Sequence, residues 1–203
     1  MSPRPQIDHL RKPQLLDAAA AVIGERGMAA TRIADVAERA GTSPPGVLYW
    51  FESRDELLAE ALSTAERTFR DELVTQIELL EDPRARLATL IERSVGGDDW
   101  VLWMEIWLLA LRDPAMSETR QRLDDDWRAQ IASIIGDGQA SGYFLGPDPE
   151  RVALELASLI DGLAVQVALG DRLVTAELMR STCIEVAERL LEATLPAPAG
   201  AVA

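Results

Sequence analysis

The chain has 203 residues, 48% hydrophobic and 27% charged, with a net charge of −14. That balance describes a globular protein of one large or two small domains, and the longest apolar run, 106–111, falls far short of the roughly 20 residues that cross a bilayer. One histidine, His9, and one cysteine, Cys183, give no metal cluster, no internal disulfide and no Ser-His-Asp set.

No metal, cofactor or membrane contact is therefore expected, and enzyme chemistry would have to rest on carboxylates alone. The polar start lacks the apolar stretch of a secretory signal, and a single cysteine suits a reducing compartment, so a cytoplasmic place is expected. The acid is unevenly spread. Residues 1–60 carry seven basic and nine acidic side chains, net −2, whereas 61–203 carry 13 and 25, net −12. The two parts thus face different partners, and the first retains a local basic face from Arg11, Lys12, Arg32 and Arg54.

Apolar residues recur at helical spacing, as in Leu15, Ala18, Ala19, Val22 and Ile23, with Gly and Pro as punctuation. The expected fold is all-α with about nine helices. Helix 1 covers 12–26, with Pro13 in its first turn and Gly27 beyond its end. Helix 2 covers 32–40 with Thr31 as N-cap, and Gly41 supplies the left-handed turn out of it. Helix 3 covers 45–51, because Pro45 suits the first helical position better than Pro44. Helix 4 covers 54–81 and stops at Asp82-Pro83, helix 5 covers 84–95 and stops at Gly96-Gly97, and helix 6 is the Trp-rich stretch 98–111. Helix 7 spans 115–137, helix 8 spans 149–169 and helix 9 spans 175–192. The expected division of the chain is 1–53, 54–194 and a disordered tail, 195–203.

Residues 31–58 read as a helix-turn-helix. Ile33, Val36, Ala37 and Ala40 face a core, and small Ala34 and Ala37 allow close helix approach. In the next helix Val47, Leu48 and Phe51 go to the core while Tyr49 and Trp50 project. On Gly27, Thr31, Ile33-Ala34, Val36-Ala37, Ala40-Gly41, Leu48-Tyr49, Phe51, Arg54 and Glu56-Leu57-Leu58, the segment resembles the TetR family of bacterial transcriptional regulators.

The resemblance implies double-stranded operator DNA as a partner. Thr31 and Arg54 would hold phosphates, Thr42, Ser43 and Pro45 would meet base edges, and Tyr49 a phosphate or a thymine methyl. Pro44-Pro45-Gly46 replaces side-chain donors, so readout would lean on hydroxyls, thymine methyls and Arg32; Trp50 is bulkier than usual and its role stays open. Structural alternatives stand beside each. Tyr49 and Trp50 could cover a helix junction, Thr31 could only cap, and Arg54 could pair with an acid such as Glu56.

The resemblance also implies a homodimer through helices 8 and 9. Leu156, Leu159, Ile160 and Leu163 on one, and Met179, Cys183, Val186 and Leu190 on the other, form apolar stripes suited to it. Trp100, Trp103 and Trp107 share a face of helix 6. With Glu105, Trp127 and the run Asp124-Asp125-Asp126 they offer either a cation-binding effector pocket or plain core with a solvated acidic face. The stretches 100–114, 141–144 and 158–166 resemble the choline- and betaine-responsive repressor subgroup, which implies a cationic or amine effector. The expected function is a repressor released from a palindromic operator by a small molecule. An activator, a fold that has lost DNA contact and a helical enzyme are the alternatives.

Overall fold

The computed structural model describes residues 8–95 and 99–197. The Gly96-Gly97 break and the end of the tail from 198 lie outside the described residues, as do the side chains of His9, Arg11 and Asp99. Among the described residues there are nine helices and no strand. They are α1 (Asp8–Arg26), α2 (Ile33–Arg39), α3 (Pro44–Leu48), α4 (Arg54–Glu78), α5 (Pro83–Ser94), α6 (Asp99–Ala110), α7 (Pro114–Ala140), α8 (Pro149–Ala168) and α9 (Ala176–Leu191).

Four helices start on the same device, an oxygen-bearing residue followed by proline: Ser43-Pro44, Asp82-Pro83, Asp113-Pro114 and Asp148-Pro149. The first residue's side chain accepts an orphan N–H of the first turn, as Asp82 does from Arg84 at 2.8 Å. Proline at the first helical position loses nothing, since its N–H would have had no partner. The proline therefore opens each helix rather than ending the one before. This corrects the expected starts at 45, 84 and 115 by one residue each, and α4 ends at Glu78, three residues early.

The first compact unit runs to Phe69 and takes in Val101–Thr119. Its core joins Leu15, Ala19 and Ile23 of α1 to Val36 and Ala37 of α2, Val47 of α3 and Phe51, with Leu57, Leu58 and Leu62 of α4 and Ile106 of α6. Burying a side chain such as Phe51 or Leu58 stabilises by ~1.5–3 kcal/mol. Gly27 and Gly41 hold φ of 75° and 65°, the left-handed region in which a side chain is strained, and so allow the sharp exits from α1 and α2.

The second unit holds Arg70–Trp100 and the chain from Arg120 onward. Its core draws on Leu87, Leu90 and Ile91 of α5, Ile131 and Ile135 of α7, Val152, Leu156 and Ile160 of α8, and Met179, Cys183 and Leu191 of α9. A two-pronged ion pair ties α9 to α5: the Arg180 guanidinium donates to both Glu92 oxygens, at 2.6 and 2.9 Å. Beyond α9, Leu195 is buried and its N–H donates to the Glu188 carboxylate at 2.8 Å.

Candidate DNA-reading head and effector region

The reading head is the α2–α3 pair with its flanking turns. Asp35 accepts the Arg32 N–H at 3.0 Å, which makes Arg32 the N-cap of α2. Thr31, the expected cap, is buried and its hydroxyl donates to the Gly27 carbonyl at 2.9 Å. That hydroxyl is turned inward. In α3 the Ser43 hydroxyl oxygen accepts the Gly46 N–H at 3.3 Å, and Pro44 and Pro45 fill the first two helical positions. A Cβ at Gly46 would meet the Thr42 hydroxyl at 2.6 Å, so a larger residue there would make the Thr42 side chain shift.

A five-residue helix has one inward and one outward face. Val47 is fully buried, whereas Leu48 is 50% exposed and Tyr49, its C-cap, is 73% exposed. The expectation that Leu48 joins the core is thus corrected: α3 is too short for 47, 48 and 51 to point the same way, and Phe51 reaches the core from beyond its end. Trp50 is half-buried against that core and meets the Tyr49 ring edge-on, centroids 5.4 Å apart. It supports the head rather than projecting from it.

Arg54 is engaged within the chain. Its Nε donates to the Thr31 carbonyl at 2.7 Å, Nη2 donates to the Met28 carbonyl, and Nη1 pairs with Asp55 at 2.7 Å. The guanidinium stitches the start of α4 to the turn after α1. Of the other cations here, Lys12 pairs with Glu60, Arg26 with Asp35 and Arg39 with Glu25. Among the described residues, Arg32 is the one cation of 12–61 that no carboxylate holds in an ion pair.

The same turn is held from α6. The Met28 N–H donates to Glu105 Oε1 at 2.8 Å, and a Cβ on Gly27 would press that oxygen at 3.0 Å. Glu105, expected to meet an effector, is therefore engaged with backbone. On the same helix Trp103 and Trp107 lie with ring centroids 6.3 Å apart at 52°. Trp100 and Trp127 belong to the second unit; Trp100 Nε1 donates to the Ser94 carbonyl at 3.0 Å and Trp127 is half-buried on α7.

The acidic run on α7 is paired with arginines. Asp124 pairs with Arg120, Asp125 with Arg128 and Asp126 with Arg70. The carboxyl that sequence reasoning missed is Asp161 on α8. Burial, then the nearby Asp124 charge, push it up to about 6 against the pull of Arg128. Its signal was available: an acid set among Leu156, Leu159, Ile160 and Leu163 breaks an apolar stripe.

Leu156, Ile160, Met179 and Cys183 are buried within their own chain and are not available to a second one. Leu159, Leu163, Val186 and Leu190 are only half-buried. Burial pushes the Cys183 thiol up to about 11, so it stays protonated and inert at neutral pH.

Residues 15–61 match the family described as "Bacterial regulatory proteins, tetR family", and residues 83–196, more than half of the chain, match "BetI-type transcriptional repressor, C-terminal". The chain belongs to the TetR family. Among curated relatives of this TetR-family protein is the HTH-type transcriptional regulator BetI of Rhizobium meliloti, 29% identical over 176 residues and matched over 86% of each chain. Among solved structures is a putative transcriptional regulator from Saccharomonospora viridis in complex with choline. It is 30% identical, with a TM-score of 0.83 over 92% of this chain and 98% of that one. A TetR transcription regulator from Haloarcula marismortui superposes with a TM-score of 0.80 at 27% identity, over 89% and 98%. TetR-family membership makes the protein a transcriptional regulator whose N-terminal helix-turn-helix binds DNA, and its relatives are regulators rather than enzymes. No helix among the described residues is long and apolar enough to cross a membrane.

Proposed function

We propose that this TetR-family regulator represses transcription as a homodimer on a palindromic operator and leaves it when a small cationic or amine effector binds. The observation that carries the reading is the match of residues 83–196 to the BetI-type repressor C-terminal region, joined in one chain to a DNA-binding head. The choline held by the Saccharomonospora relative supports the effector class. So does the chemistry within each unit. The Trp103 and Trp107 indoles offer π faces to a cation, worth ~0.5–2 kcal/mol each. In the second unit Asp161 is a half-buried carboxyl that a cation would stabilise in its charged form.

The dimer of this reading uses the half-buried residues Leu159, Leu163, Val186 and Leu190 on α8 and α9, with the recognition helices ~34–36 Å apart on the DNA. Coupling runs through the turn after α1. Its Met28 peptide gives its N–H to Glu105 of α6 and its carbonyl to Arg54 of α4. A shift of α6 on effector binding would drag the segment from which α2 and α3 hang, and the effector would then favour the conformer that fits the operator less well. A thermal-shift series with choline, betaine, spermidine, a neutral drug and an organic anion tests the effector class. Stabilisation by the cations supports it; stabilisation by the neutral or anionic compounds alone refutes it.

A further inference from the structure

Side chains that read bases in the major groove do so mostly with guanidinium, ammonium or amide groups, paired to guanine or adenine. The segment 40–51 of this protein holds none of these; its sequence is AGTSPPGVLYWF. Of its two hydroxyls near the helix start, Ser43 caps α3 by accepting the Gly46 N–H, and Thr42 lies beside Gly46. What α3 presents outward is apolar. Pro45, Leu48 and Tyr49 are exposed, and their spacing of three and four residues puts them on one face of the helix. A half-exposed leucine beside a tyrosine 73% exposed is unfavourable in water and becomes favourable only against an apolar partner. The major groove supplies one such group, the 5-methyl of thymine. The Tyr49 ring is held in place by its edge-on contact with Trp50, so the face is pre-shaped before DNA arrives.

We infer that Pro45, Leu48 and Tyr49 form an apolar reading face, and that this regulator recognises its operator chiefly through thymine methyl groups, with Leu48 the specificity-determining residue. Arg32, unclaimed by any described carboxylate, contributes charge at the edge of the head rather than base identity. The inference rests on the operator-DNA reading above and extends it to the chemistry of the contact.

The test begins by selecting bound duplexes from a random-sequence pool at low salt with the full chain. Thymines in the selected half-sites are then replaced one at a time by deoxyuridine, which removes the methyl and leaves every hydrogen-bonding group unchanged. Loss of one contacted methyl should weaken binding about four-fold, from ~0.8 kcal/mol for one buried carbon. In Leu48→Ala the ratio of thymine to deoxyuridine affinities should fall towards one at the same position, while Tyr49→Phe should keep it. Leu48 is half-exposed, so its replacement leaves the core intact. Equal binding of thymine and deoxyuridine duplexes by the unaltered protein overturns the inference and leaves DNA binding standing. Leu48→Ala weakening both duplexes equally also overturns it, since Leu48 then packs on sugar rather than methyl. Failure to retain any duplex from the pool overturns the operator-DNA reading itself.

Discussion

Replacing Arg54 with alanine separates two roles for one guanidinium. In the structure it donates to the carbonyls of Thr31 and Met28, in a turn where Thr31 is 1% exposed. A hydrogen bond from a charged donor contributes ~1.5–3 kcal/mol, and a buried carbonyl left without a donor loses much of that. The Arg54 side chain is 32% exposed, so water replaces part of the loss. A net destabilisation of about 2 kcal/mol follows, which for a cooperative transition of a chain of this size lowers the melting point by ~4–8 °C. Differential scanning calorimetry reads it directly. Arg54→Lys should fall between, because one ammonium cannot span the carbonyls that the planar fork bridges. A melting point within 1 °C or so of the unaltered protein, together with a salt dependence of DNA binding flattened by ~1 phosphate, would refute the argument. The guanidinium would then serve DNA rather than the turn.

Three further outcomes follow from the same geometry. Glu105→Gln keeps an acceptor for the Met28 N–H and should cost under ~1 kcal/mol, whereas Glu105→Leu leaves that donor unpaired and should cost ~1–3 kcal/mol in urea unfolding. Asp161 has a folded-state pKa raised above its unfolded value, so ionising it opposes folding. Asp161→Asn should therefore gain stability relative to the unaltered protein as pH rises from about 4 to 7, with the gap closing below about 4. Paired denaturant midpoints at the two ends of that range check it, and a constant gap would contradict the raised carboxyl. A Cβ at Gly138 would lie 2.0 Å from the ring of buried Phe144, so Gly138→Ala should cost at least ~1–3 kcal/mol by overpacking, read as a lower urea midpoint.

The helical character, the order of the elements and the left-handed turn at Gly41 were legible because each rests on local chemistry: apolar spacing, caps and a glycine where a side chain would strain. The errors came where local rules compete with packing. Asp-Pro reads as a stop, yet the aspartate caps and the proline begins the following helix, as at Asp82-Pro83 and Asp113-Pro114. Hydrophobicity alone assigns Leu48 to the core beside Val47 and Phe51, but α3 turns it outward. Arg54 and Glu105 look like surface charges available to ligands, and nothing local reveals that backbone groups 26 and 77 residues away claim them. On α8 and α9 an apolar stripe does not say which side faces the chain's own α5, so the stripe alone points Leu156, Ile160, Met179 and Cys183 outward although they face in.

The central claim, a dimeric repressor that binds operator DNA and is released by a cationic effector, is tested most directly by fluorescence anisotropy on DNA from upstream of its own gene. The account predicts a saturable complex of two chains per duplex, protecting two symmetric half-sites about one helical turn apart, that dissociates on titration with choline or another amine. DNA that remains bound at every concentration of the cations that raise the melting point would contradict it, and so would the absence of any complex at low salt.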